Sequence, residues 1–83
     1  MMCHVYILHS ERLQKYYCGS TQDLERRLSH HNSGYSKFTK SGVPWVLVYF
    51  EPFENLKDAR KRELEIKRKK SKTYILSLLK KQF

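Results

Sequence analysis

Apolar residues open the chain in two short runs. Residues 3–9, CHVYILH, and 15–18, KYYC, are rich in Val, Ile and Tyr and flank the polar SERLQ, which predicts a β-hairpin. Past Gly19 the period changes: Leu24, Leu28 and His31 recur at helical spacing, with Thr21 as the expected N-cap and Asp23 in the first turn. Asn32 and Gly34, in NSGYS, offer C-capping. A loop through residues 37–44 closes on Pro44, and WVLVYFE at 45–51 is the strongest strand signal in the chain. Asn55 with Asp58 three residues on marks a further helix start. From residue 56 to about residue 70, Leu56, Ala59 and Ile66 form one stripe. A last helix, capped by Ser71, carries Ile75, Leu76, Leu78 and Leu79.

No internal repeat or low-complexity segment interrupts this pattern. Residues 1–83 therefore read as one α+β domain, a small three-stranded antiparallel sheet flanked by helices in the order ββα-β-αα.

Two positions break the apolar stripes. Glu63 sits where the stripe of Leu56, Ala59 and Ile66 calls for an apolar residue, and carboxylates are almost never fully buried unless paired or metal-bound. It therefore belongs at the edge of the core. Two readings stay open: a salt bridge to one of the many nearby Lys and Arg residues, or a group facing a ligand. Arg27, three residues after Leu24 and four before His31, lies beside the buried stripe of its helix. Its guanidinium can fork onto a phosphate or form an ion pair, with Glu63 among the partners. His31, on the same stripe, reads by default as a satisfied core or helix-end histidine. Glu65 points elsewhere and reads as a surface residue.

Charge narrows the partner. Seventeen Lys plus Arg against eight Asp plus Glu leave a net charge of +9, a field suited to a polyanion. The run KRKKSK at 67–72, which includes Lys67, Arg68, Lys69 and Lys70, is its densest part. An anionic membrane would call for a long basic helix with an apolar opposite face, and none stands out; no run reaches the roughly 20 apolar residues of a membrane span. Two cysteines, Cys3 and Cys18, are too few for a disulfide framework and do not space like metal ligands, so both read as free thiols in a reducing cytoplasm.

KYYCGST, at 15–21, adds two tyrosines and then a glycine, which marks a sharp turn or a close approach of backbone to a ligand. A carboxylate that can hold a metal, an arginine for a phosphate, and a tyrosine or histidine to relay a proton together suit phosphodiester chemistry. Spacing alone does not choose between that and a set of structural pairs.

The order of these residues resembles the GIY-YIG nuclease domain, over nearly the whole chain. HVY at 4–6 stands where the family has its first tripeptide and YCG at 17–19 where it has its second. Eight residues past Gly19 the family's arginine falls on Arg27; the helix runs into HHNSG, and ARKRELEIK at 59–67 places the family's metal-binding glutamate on Glu63. The chain looks closest to the short stand-alone bacterial members, which resemble the N-terminal domain of the bacterial excision-repair nuclease, the excinuclease.

By resemblance, the activity is metal-dependent hydrolysis of DNA phosphodiesters, with Mg2+ or Mn2+ as a single divalent ion on Glu63 and a structure-guided role in repair or recombination. Arg27 takes the phosphate, Tyr6 or Tyr17 helps to activate water, and His31 lies near the phosphate. Gly19, Ser20, Asn32, Lys67, Arg68, Lys69 and Lys70 are expected to meet nucleic acid. Tyr16, on the other strand face, is expected to pack. The chain departs from the family pattern at His4 and Cys18, which supply no catalytic group, and at Ser20, where the repair branch carries a lysine. RNA is an alternative substrate, a partner protein or transient dimer is expected for double-strand cutting, and a non-catalytic basic binding module is the competing function.

Overall fold

The computed structural model describes residues 2–34, 39–69 and 71–82. Strands β1 (Cys3–Ser10) and β2 (Lys15–Thr21) form the expected hairpin. Helix α1 (Leu24–Asn32) leads through a short 3-10 turn (Lys40–Gly42) to β3 (Trp45–Phe53), and helices α2 (Leu56–Lys69) and α3 (Lys72–Gln82) complete the order. The sheet runs β2-β1-β3, antiparallel throughout, so the first strand is central and the other two are edges.

That position explains the composition of β1. Side chains alternate between the faces of a strand, and both faces of this one are covered. Cys3, Val5 and Ile7 point into a core with Tyr49, Ala59, Ile66 and Leu78, which places α2 and α3 on one side. Tyr6 and Leu8 point the other way, into a second core with Trp45, against which Leu24 and Leu28 of α1 pack. Val5, Ile7 and Leu8 are completely inaccessible, a contribution of about 1.5–3 kcal/mol each.

Several boundaries differ from the sequence expectation. β2 runs through Gly19 to Thr21, three residues further than its apolar run. The N-cap of α1 is Asp23 and not Thr21: its carboxylate accepts from the Arg26 amide at 3.1 Å. Thr21, still in the strand, instead accepts from the Asp23 amide at 3.1 Å. At the far end of α1 the C-cap is Ser33, followed by Gly34 at φ +84°. β3 extends to Phe53 through Pro52, which an edge strand tolerates because one side of it needs no ladder donor. The starts of the last two helices are as expected. Asn55 accepts from the Asp58 amide at 2.8 Å, and Ser71 from the Tyr74 amide at 3.3 Å. Among the described residues no helix is long and apolar enough to cross a membrane.

Candidate active site

The α1 face of the sheet carries a buried chain of polar groups. Tyr6 lies directly opposite Gly19 across the hairpin, and its phenol fills the space that a side chain at 19 would need. A Cβ there would stand 2.5 Å from the Tyr6 hydroxyl and 2.7 Å from Cζ. The glycine in KYYCGST lies within the strand and not at a turn, and it seats the tyrosine of the neighbouring strand. The Tyr6 hydroxyl then meets His31 Nε2 at 3.1 Å, and His31 Nδ1 meets Thr39 Oγ1 at 2.9 Å. All three residues are buried.

The protonation of this chain follows from its surroundings. Burial, then the charges of Arg27 and His30, lowers the His31 imidazole below its ordinary 6.5. Neutral imidazole has one donor and one acceptor nitrogen, so one of the two hydroxyls on His31 donates to it and the other accepts. Burial, then neighbouring Tyr17, raises the Tyr6 phenol well above its ordinary value, against the pull of Arg27, and Glu63 raises it further. Tyr6 stays a phenol. Tyr17, half-buried, stands against both rings, with its centroid 5.0 Å from His31 and 6.5 Å from Tyr6.

Arg27 is exposed, on the side of α1 that faces a polar cavity of about 370 Å³ lined also by Thr21, Asp23, Arg26 and His30. A cavity with two guanidiniums and a histidine beside a helix N-terminus suits an anionic oxygen.

On the other face, Glu63 is half-buried at the rim of the core. Ser20 Oγ donates to its Oε1 at 2.6 Å and Lys67 Nζ to its Oε2 at 2.5 Å. The salt-bridge reading of Glu63 therefore holds in this state, but with Lys67, one turn along the helix, and not with Arg27. The hydrogen bond that Lys67 donates to Glu63 raises the pKa of its ammonium. Burial, then the charge of Glu63, pushes the Cys18 thiol up to about 12, so it stays protonated and is no nucleophile at neutral pH. Arg62 joins Glu51 at 3.1 Å, Glu65 at 3.0 Å and Tyr74 at 3.1 Å, a network that ties α2 to β3 and α3.

Both halves of the constellation meet at the C-terminal end of β2. Ser20 and Thr21 are consecutive, and consecutive strand residues face opposite ways. Ser20 holds Glu63 on the α2 face, while Thr21 lines the Arg27 cavity on the α1 face. Tyr6, Tyr17 and His31 form one aromatic cluster on the α1 face, and the charges of both Arg27 and Glu63 reach Tyr6. Other expected residues sit differently. The Asn32 amide is taken up by the backbone of Trp45, donating to its carbonyl at 3.0 Å and accepting from its N–H at 2.6 Å. Arg68 and Lys69 are exposed, with Lys69 Nζ 5.5 Å from the Tyr74 ring centroid. Lys70 lies outside the described residues. Tyr16 packs against the α2–α3 core. Among the described residues no three His, Cys, Asp or Glu side chains cluster as a metal site.

One participant escaped sequence reasoning: Thr39 carries no periodic signal, since its role depends on a loop returning to α1. Lys67 was expected to meet nucleic acid, and its pairing with Glu63 is readable in the Glu-to-Lys spacing of four on one helix face.

The GIY-YIG catalytic domain family matches residues 2–75 of the chain. A UPF0213 protein of Clostridium perfringens is 44% identical over 68 residues, covering 81% of this chain and 72% of that protein. A UPF0213 protein of Lactococcus lactis is 45% identical over 65 residues, 77% of this chain and 62% of its own length. The solution NMR structure of a UPF0213 protein from Bacillus halodurans superposes with a TM-score of 0.53 at 34% identity, covering 94% of this chain and 87% of that one. The family match spans all three strands, α1 and α2, and so the chain belongs to the GIY-YIG catalytic domain family, a nuclease superfamily.

Proposed function

We propose that the chain is a divalent-metal-dependent endonuclease that hydrolyses DNA phosphodiester bonds. The observation that carries this reading is the meeting of Glu63 and the Arg27 cavity at the end of β2, with both charges bearing on Tyr6. Arg27 clamps the scissile phosphate. Tyr17 orients the attacking water at its Oη, and the uncharged Tyr6–His31–Thr39 chain behind it fixes its ring. Exposed Arg68 and Lys69 meet the DNA backbone.

Glu63 would hold the ion. One carboxylate completed by water and substrate phosphate oxygens suits Mg2+ or Mn2+, and Lys67 must first leave Oε2. When bound, such an ion supplies positive charge for the leaving oxygen. A second reading, a basic nucleic-acid-binding module without catalysis, draws on the same contact, because Ser20 and Lys67 already satisfy both carboxylate oxygens.

The test is cleavage of supercoiled, branched and single-stranded DNA, with RNA in parallel, in Mg2+ or Mn2+, with binding followed separately. Glu63→Ala and Arg27→Ala are each expected to lose on the order of 100-fold or more in cutting while binding persists. Wild-type protein that binds every substrate and cuts none selects the binding module.

A further inference from the structure

We propose that the open groove between the edge of β2 and helices α2 and α3 binds an unpaired strand of DNA. The choice of polymer rests on the endonuclease reading above; the inference adds which part of the substrate lies beside the cut.

The groove encloses about 440 Å³. Its floor is apolar, with Tyr16 and Cys18 of β2, Ile66 of α2 and Ile75 of α3. Lys15, Lys67 and Lys72 stand on its walls, and no Asp or Glu lines it among the described residues. Lys15 and Lys72 are exposed, so both are open to a ligand, and the Lys67 side chain, its ammonium paired to Glu63, is 49% exposed.

This combination selects among anionic ligands. A duplex keeps its bases stacked inside and offers phosphates and groove edges, which leaves an apolar floor without use. An unpaired strand offers both parts at once. Its bases stack on aromatic and apolar side chains without sequence preference, and its phosphates pair with the lysines. Tyr16 is held for such a contact by the His9 ring, 4.7 Å away between centroids.

Position links the groove to the candidate active site. Lys67 lines the groove and is ion-paired to Glu63, while Tyr17 lines the groove and belongs to the aromatic cluster around His31. A strand lying in the groove therefore ends beside the carboxylate, which makes DNA with a single-stranded segment at the cutting site the favoured substrate class.

The experiment measures fluorescence anisotropy of labelled oligo-dT and of a blunt duplex of equal length, without divalent metal, against wild type, Tyr16→Leu and the double variant Lys15→Gln/Lys72→Gln. Amide chemical shifts are followed in a parallel titration. Oligo-dT is expected to bind more tightly than the duplex and to move the amides of Cys18, Ile66 and Ile75. Tyr16→Leu should weaken oligo-dT about fivefold or more and leave the duplex unchanged. The double lysine variant should reduce the log–log salt slope for oligo-dT by about 1.4. If Tyr16→Leu fails to fold, the shift map and the salt slope decide. Shifts confined to other surfaces, or equal losses for duplex and single strand, would each overturn the assignment. With no metal present, these results are independent of cleavage. Groove binding without cutting removes the nuclease reading alone, and cutting without groove binding removes this proposal alone.

Discussion

The two faces of the sheet are made from the same three strands yet solve opposite problems. On the α2–α3 face the centre is apolar, with Val5, Ile7, Ala59, Ile66 and Leu78, and the ionic groups are pushed to the rim as the Arg62 network and the Glu63–Lys67 pair. On the α1 face polar atoms lie inside. The buried polar residues Ser10, Thr21, His31 and Thr39 all belong to this side, each with a hydrogen-bond partner. An unpaired polar group in a core costs more than an apolar one, so such a network persists only when every member is satisfied. The comparison teaches that one face closes on a wholly apolar centre while the other combines an apolar core with buried polar groups that fix ring positions, and β2 is where they join.

The largest expected effect tests the first half of that contrast. Ile66→Ala, at a residue 3% exposed, should cost about 2–5 kcal/mol in chemical denaturation while the His31 imidazole resonances stay unchanged. A shift in those resonances would show that the faces are coupled. Next comes Gly19→Ala. Its Cβ would collide with the ring end of Tyr6, so a loss of about 1–3 kcal/mol and a displaced Tyr6–His31 hydrogen bond are expected. Unchanged stability would mean that Tyr6 has room to move.

Thr39→Val should cost about 1–3 kcal/mol by leaving a His31 ring nitrogen unpaired, whereas Thr39→Ser should restore most of it. The same network has a pH signature. Because the folded-state pKa of His31 is below its ordinary 6.5, the unfolded chain binds more protons in the interval between the two values. The contribution of His31 is therefore complete above 6.5 and falls as pH drops toward the folded pKa, a slope that His31→Gln should remove from denaturation curves. Smallest is Glu63→Gln. The Lys67 partner is half-exposed, so the pair is worth about 0–1 kcal/mol, and the variant should melt almost as wild type does.

Much of this molecule was legible in its sequence, for local reasons. The hairpin, the three helices and the third strand follow from periodicity, which each segment carries within itself. The stripe of Leu56, Ala59 and Ile66 put Glu63 at the margin of the core, where it stands half-buried. The boundaries were less legible, because Thr21 and Asp23 are both competent caps and only the pairing of Thr21 with His4 keeps the former in the strand.

Sequence by itself determined the elements, the residue types available for chemistry and the faces on which the helical ones lie, since these depend on dihedral preference and spacing within a few residues. Tertiary structure decided the partnerships: Glu63 with Ser20 and Lys67, His31 with Tyr6 and Thr39, Asn32 with the backbone of Trp45, and Gly19 beneath Tyr6. Apart from the Glu63–Lys67 pair within α2, each of these joins separate segments of the chain. Such a contact is set by strand register and by which helix covers which face, and neither is encoded in the spacing of any one segment.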